Sequence, residues 1–393
     1  MKTYIPFFTC ALTSFASLAL ALPVFPPRSA TRNPSSRSLT TALLLNAPAF
    51  QDPSNPSNTI GAFESFVFLS QPDLSGITGL INSTLSSLGL NEGDKLTTAV
   101  DRLKLFAAVG VPGGDAQVEL PGTGLKDLGI VSANVSIGAC VGGSSTRSSS
   151  GNSTNLFATV TDRDPDTDSP TATVFFSPPS GFGIISDIDD TIKVSDVLNT
   201  SLLIQNTLFN DPVPVSGMPE LYDSLASSLI SDENTAPQFI YLSGSPIQLY
   251  PFLTSFIQST FSTTSQGPLL LQNFSVTDPT LIINAITGSE DGGQGKIDYK
   301  VGQINNIHGM YPQKSFLVIG DSTEKDPEVY GLSFNIHGPS FIQCIWIHVV
   351  DGANNTDARF SAAFEGVPQD KIRLYRDEDI EGLRDVDVKG GSC

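Results

Sequence analysis

In the second half of the chain, apolar residues come in short, nearly unbroken runs: Gly183 to Ser186, Phe239 to Leu242, Phe316 to Ile319 and Phe341 to Val349. Runs of this length, bounded by turn-forming residues, predict strands buried on both faces. Between them, Pro219 to Ile230, Pro246 to Phe261 and Lys296 to His308 read as helices. In the last of these, Ile297, Val301, Ile304 and His308 recur at helical spacing. Buried strands divided by helices predict a parallel sheet covered on both faces, an α/β Rossmann-like domain over residues 178–352.

The pattern differs before Pro178-Pro179. Short runs such as Phe63 to Leu69, Arg102 to Phe106, Leu156 to Val160 and Thr171 to Phe176 are separated by Gly and Pro, with a Gly/Ser stretch from Gly142 to Asn155. Residues 59–177 therefore read as a β-rich domain, with a β-sandwich as the expected form. Residues 22–58, rich in Pro, Ser, Asn and Arg, read as a propeptide or flexible arm. Residues 353–393 read as an acidic, only partly ordered tail.

The first 21 residues read as a secretory signal. Lys2 is followed by a mostly apolar stretch from Ile5 to Leu20 and by small residues at Ala19-Leu20-Ala21. That stretch is shorter than the ~20 residues a membrane span needs and runs into Pro23, so no transmembrane segment is expected in the mature chain. Six glycosylation sequons, at Asn82, Asn134, Asn152, Asn199, Asn273 and Asn354, fit a secreted glycoprotein. A formal net charge of -19 excludes a nucleic-acid partner, because nothing basic enough exists to follow a phosphate backbone. Once the signal is removed, Cys140, Cys344 and Cys393 remain, enough for one disulfide. Cys344 lies inside an apolar run and is expected to be a buried thiol, which leaves Cys140 and Cys393 as the expected pair.

Ligands of open α/β sheets bind beyond the C-terminal ends of the strands. Here those ends carry Asp187-Ile188-Asp189-Asp190-Thr191, then Ser243-Gly244-Ser245, then Gly320-Asp321-Ser322 with Asp326 following. Taken singly, an Asp after a strand is most often a turn residue or a helix cap, Ser243 a capping serine and Lys300 a solvated helix charge. Together and in this order they suit phosphoryl transfer. Carboxylates and a main-chain carbonyl make a hard oxygen site for Mg²⁺, which offsets the repulsion between an anionic nucleophile and phosphate. One Asp attacks phosphorus, a second two residues on exchanges protons with the leaving oxygen and with water, and a hydroxyl and a lysine hold the phosphoryl oxygens.

These ordered motifs resemble the haloacid dehalogenase superfamily of phosphatases. Within it, they resemble the catalytic domain of the actin-patch-protein type of phosphatidate phosphatase. The strings that carry the resemblance are Ser186 to Lys193, Gly217 to Tyr222, Leu242 to Pro246, Gly267 to Leu269, Lys300 to Ile304 and Ile319 to Tyr330. It implies Asp187 as nucleophile and Asp189 as acid/base, with Asp187, the Asp189 carbonyl and Asp321 as Mg²⁺ ligands. It further implies Ser243 and Lys300 at the phosphate, Thr191 and Asp326 in support, and a phospholipid substrate, phosphatidate, hydrolysed to diacylglycerol. Periodicity alone does not separate Lys300 from Lys296 on the same helix face. The resemblance selects Lys300 and leaves Lys296 as a solvated charge.

Other readings compete. A secreted general phosphomonoesterase would use the same residues on a different ester, and a non-catalytic secreted binding protein would leave them idle. Gly320-Asp321-Ser322 superficially resembles a lipase nucleophile block, but none of His308, His337 and His348 stands in the arrangement a serine nucleophile needs. The carboxylates of Asp162, Asp164, Asp166 and Asp168 lack the glycine and the distal glutamate of an EF-hand calcium loop, so a solvated acidic loop is expected there.

Overall fold

The computed structural model describes residues 40–52, 56, 59–69, 75–87, 94–106, 108–110, 117–119, 137–141, 156–161, 171–231, 235–273 and 293–393. The signal segment, the sequons at Asn134 and Asn152, and the acidic loop at Asp162 to Asp168 lie outside them.

The N-terminal part holds β1 (Thr40–Leu44), β2 (Ala47–Gln51), β3 (Thr59–Phe63), β4 (Ser65–Leu69), α1 (Ser75–Ser87), α2 (Asp94–Leu103) and β5 (Val109–Gly110). Four more strands follow, β6 (Gln117–Glu119), β7 (Ile137–Val141), β8 (Leu156–Thr161) and β9 (Thr171–Ser177). They form a three-stranded sheet in the order β1-β4-β5 and a six-stranded sheet in the order β6-β8-β9-β2-β3-β7. Three expectations are corrected here. Residues 40–51, read as part of a flexible arm, form β1 and β2. The β-rich region also contains two helices. Arg102 to Phe106, read as a strand, is the end of α2 and the turn after it: Leu96, Ala99, Val100 and Leu103 fall on one helical face and pack into the core.

The second part runs β10 (Ser180–Ser186), α3 (Thr200–Leu208), α4 (Met218–Ser228), β11 (Gln238–Pro246), α5 (Tyr250–Thr260) and β12 (Leu269–Gln272). It continues through α6 (Gln294–Met310), β13 (Gln313–Asp321), α7 (Asp326–His337), β14 (Ile342–His348), α8 (Asp357–Ala363) and β15 (Ile372–Tyr375). The six strands form one sheet in the order β12-β11-β10-β13-β14-β15, and every neighbouring pair is parallel. Successive strand residues face opposite sides. Ile184, Tyr241, Leu317 and Trp346 join one core with α4 and α5, whereas Ile185, Ile240, Val318 and Ile345 join the other with α6 and α7. That double burial is why these strands read as unbroken apolar runs.

The first of these cores crosses between the two parts: Leu45, Phe66, Ile81 and Leu103 belong to it together with Leu203, Leu249 and Leu253. Arg102 stacks its guanidinium 4.0 Å over the Phe252 ring and donates to the Thr207 carbonyl, and the Tyr250 hydroxyl accepts from Asn46 N–H.

The C-terminal segment is ordered, contrary to the expectation of a partly ordered tail. β15 extends the sheet beside β14, and Tyr375, Ile380, Leu383 and Val388 are buried. Few in number, they escaped a reading by composition, yet each finds the core. The final residue is held as well. Cys393 forms a disulfide with Cys344, and the Trp346 indole N–H donates to the Cys393 carbonyl at 3.1 Å. The expected Cys140–Cys393 pair is thus replaced by Cys344–Cys393, because β14 carries Cys344 to the place where the chain ends.

Candidate active site

Three adjacent strands of the parallel sheet end at one place. Asp187 directly follows β10, Ser243 lies in β11, and Asp321 is the last residue of β13. α7 begins at Asp326, whose carboxylate accepts from the Asp321 backbone N–H at 3.2 Å. Gly320 permits this approach, since any β-carbon there would collide with the Asp326 carboxylate.

At the centre are four fully buried charged side chains. Lys300, from α6, donates to Asp187 at 2.6 Å and to Asp326 at 2.5 Å. Thr191 donates to the other Asp187 oxygen at 3.2 Å. Carboxylate oxygens of Asp187, Asp321 and Asp326 all lie within 4.8 Å of one another. Burial pushes all three carboxyl groups above their ordinary range, helped at Asp187 and Asp321 by repulsion from neighbouring carboxylates and at Asp326 by Glu324. Burial alone would lower the Lys300 ammonium, but Asp187 and Asp326 overcome it and hold it well above its ordinary value.

Three carboxyl groups face one lysine in a buried site, so their full ionisation would leave two negative charges uncompensated. One Asp321 oxygen accepts from Thr323, while its other oxygen, Oδ2, is buried and without a hydrogen-bond partner among the described residues. An orphaned carboxylate oxygen in an anionic, all-oxygen cluster fits a divalent hard cation. Asp326, expected only to orient a neighbour, places its carboxylate in this cluster.

Asp189 points elsewhere. Its carboxylate meets Lys193 at 3.0 Å, Ser195 at 2.6 Å, Ser245 at 3.0 Å and Ser243 at 3.4 Å. Burial alone would raise this carboxyl, but Lys193 and the hydroxyls of Ser195 and Ser245 hold it below the usual carboxylate range. Ser243, expected at the phosphate, thus touches Asp189 and also accepts from the Ser245 N–H. The loop between Asp187 and Val197 is braced from within. Asp190 takes a left-handed backbone conformation (φ 54°), and its carboxylate accepts from the N–H groups of Ser195, Asp196 and Val197.

Lys193, Ser195, Ser245 and His348 were not foreseen as part of this site. The His348 ring bonds the Asp190 carbonyl at 2.7 Å on one side and Asp377 at 2.8 Å on the other. Lys193 and Ser245 lie inside motif strings recognised in the sequence. His348 ends β14, a strand-end position like those of the other site residues, whereas Asp377 carries no local signal, because the C-terminal segment reaches the loop only through the sheet. Lys296 is a correction. Expected to be solvated, it is mostly buried, pairs with Glu324, rests its stem against Gly244, and lines a cleft with Asp189 and Ser245.

Residues 182–349 match the family model described as phosphatidate phosphatase APP1, catalytic domain. Phosphatidate phosphatase APP1 of Saccharomyces cerevisiae is 32% identical over 155 residues, which make up 39% of this chain and 23% of the yeast protein. The chain therefore matches less than a quarter of that relative's length. From Phe182 to Val349, the domain that gathers these carboxylates is similar to the catalytic domain of the APP1 type of phosphatidate phosphatase, a phosphatase domain, as its motifs led us to expect.

Proposed function

We propose that the chain is a Mg²⁺-dependent phosphatase of the haloacid dehalogenase-like type that hydrolyses phosphatidate to diacylglycerol and phosphate through an aspartyl-phosphate. The observation that carries this is the buried Asp187 carboxylate, held between Lys300 and Thr191 and adjoining Asp321 and Asp326. Asp187, the Asp189 carbonyl and Asp321, with Asp326 beside them, would hold the cation, which neutralises phosphate charge when bound. An Asp187 oxygen forms a bond to phosphorus while the ester P–O bond breaks. Asp189, held ionised by Lys193, Ser195 and Ser245, can give a proton to the leaving oxygen only once bound substrate displaces Lys193 or the serines and lets it take up a proton from solvent. The carboxylate so formed, stabilised by Lys193 and the serine hydroxyls, then takes a proton from the water that hydrolyses the acyl-phosphate. Lys300 faces the nucleophile and supplies fixed positive charge where negative charge accumulates.

The lipid substrate is supported by the matched family and the yeast relative, and by the apolar side of the cleft beside Asp189, where Val197, Leu203, Leu249 and Phe252 lie. The test is phosphate release from phosphatidate in mixed micelles, together with acid quenching and mass mapping of the phosphoryl group. Release that requires Mg²⁺, and label on the Asp187 peptide that is absent in Asp187→Asn, is the expected result. Full activity of Asp187→Asn would sink the mechanism. Equal turnover of a soluble phosphomonoester would favour a general phosphatase.

We also read the protein as secreted and N-glycosylated. The Cys344–Cys393 disulfide suits an oxidising compartment, and Asn199, Asn273 and Asn354 are exposed. Mass spectrometry of culture medium from the native host should find the chain without residues 1–21 and with N-glycans. A form found only inside the cell, unprocessed and without glycans, would reject the secretory reading.

A further inference from the structure

Isolated exposed apolar residues are ordinary; a concentration of them beside a functional cleft is not. Among the described residues nine large hydrophobics are exposed, and four of them lie on one loop between residues 194 and 213: Val194 (37%), Leu198 (49%), Leu202 (38%) and Val213 (56%). The loop is closed at its base, where Val194 N–H donates to the Val213 carbonyl at 2.8 Å. It is anchored to the catalytic loop by the three N–H groups that bond Asp190, and α3 is drawn back over it by Asn206, which donates to Asp196 at 2.8 Å. Its inner side faces the cleft, where Val197 and Leu203 stand with Asp189 and Ser245. One rigid loop thus turns apolar side chains both toward the acid/base residue and toward water.

We infer that loop 194–213 docks the protein on an uncharged lipid surface, with the cleft opening beside the point of contact. Aliphatic side chains of this kind gain free energy when they leave water for the acyl boundary. The charge on the loop selects the surface: it carries Asp196 and Asp211 and neither lysine nor arginine. The two α2 cations that meet it are engaged, Lys95 by Asn210 and Arg102 by the Thr207 carbonyl and the Phe252 ring. In a chain of net charge -19, anionic bilayers therefore repel it and zwitterionic ones do not. The inference deepens the phosphatidate reading, in which the anionic substrate is a minor component of an otherwise zwitterionic interface. The experiment nevertheless measures binding alone.

The sequon Asn199-Thr200-Ser201 lies on the same loop, and a glycan there would compete for the surface. Flotation should therefore use the full secreted chain as it exists and, beside it, the chain bearing Ser201→Ala, which removes the sequon and keeps the Asn199 helix cap. The Ser201→Ala chain should float with phosphatidylcholine vesicles, and Leu198→Asp/Leu202→Asp on the same background should reduce the bound fraction at least about tenfold. Ile336→Asp serves as control: Ile336 is equally exposed but lies near the far end of α7, ~15 Å along the helix from Asp326, and should keep binding. No flotation, flotation unaffected by the double substitution, or preference for phosphatidylserine vesicles would each overturn the inference. Failure to release phosphate from phosphatidate in mixed micelles would reject the substrate reading instead and leave the binding result standing.

Discussion

Replacing Lys300 by Met keeps most of the side-chain volume and removes the only cation in contact with Asp187 and Asp326 among the described residues. The carboxylate oxygens left behind lie within 4.8 Å of one another. At an effective dielectric of ~20, two unit charges at that distance repel by about 3.5 kcal/mol. Breaking a buried ion pair from one side typically costs about 3–5 kcal/mol, so the metal-free variant should unfold more easily by that order. Excess Mg²⁺ should restore part of the loss, because the cation then answers charges that Lys300 no longer does. Turnover should nevertheless fall by at least about 100-fold, because the fixed charge beside Asp187, the proposed nucleophile, is gone. The assay pairs phosphate release under saturating Mg²⁺ with thermal unfolding in EDTA and in Mg²⁺. Near-normal turnover by Lys300→Met would refute the assignment of this lysine. Stability unchanged in EDTA would refute the electrostatic account of the cluster.

Other outcomes follow from the same structure. Saturating Mg²⁺ should stabilise the unsubstituted protein by about 2–3 kcal/mol at a hundredfold excess over Kd, and Asp321→Asn should abolish that thermal shift; a shift that persists would remove Asp321 from the cation site. Lys296→Ala, which opens the cleft wall and strands Glu324, should raise KM several-fold with a smaller effect on kcat; unaltered kinetics would return Lys296 to the status of a solvated charge. Lys314 is buried, donates to the Ser180 carbonyl, and burial pushes its amine down to about 7. Between pH 7 and about 10 the unfolded chain holds a proton that the folded chain has released, so stability should rise with pH across that window, and Lys314→Met should flatten the rise in pH-dependent unfolding curves. The Cys344–Cys393 bridge closes a separation of 49 residues, for which loop-closure entropy gives about 4 kcal/mol, so Cys393→Ser should lower stability to denaturant by up to that amount. An unchanged midpoint would show the C-terminus to be held by β15 and its neighbours alone.

Much of the α/β domain was legible in the chain itself. Strands buried on both faces must be apolar at consecutive positions, so β10, β11, β13 and β14 announce themselves within a few residues each. The gathering of the candidate residues was legible for a related reason: a parallel sheet delivers strand ends to one edge, so Asp187, Ser243 and Asp321, each at such an end, had to meet. What local pattern does not encode is the partner that each polar group finds across the fold. Asp189 faces Lys193, Ser195 and Ser245 because the loop curls back on the Asp190 carboxylate. Asp326 joins the carboxylate cluster because Gly320 leaves room for it. Lys296 is buried because Glu324 answers its charge at the cleft wall. The C-terminal segment shows the difference most plainly. By composition it is acidic and should remain in water; in the fold, six scattered apolar side chains and one disulfide repay its ordering, and His348 links it through Asp377 to the loop that follows Asp187. Periodicity is a property of neighbours along the chain and can be read there, whereas the pairing of buried charges and the anchoring of a sparse segment depend on residues brought together from afar, which only the tertiary structure decides.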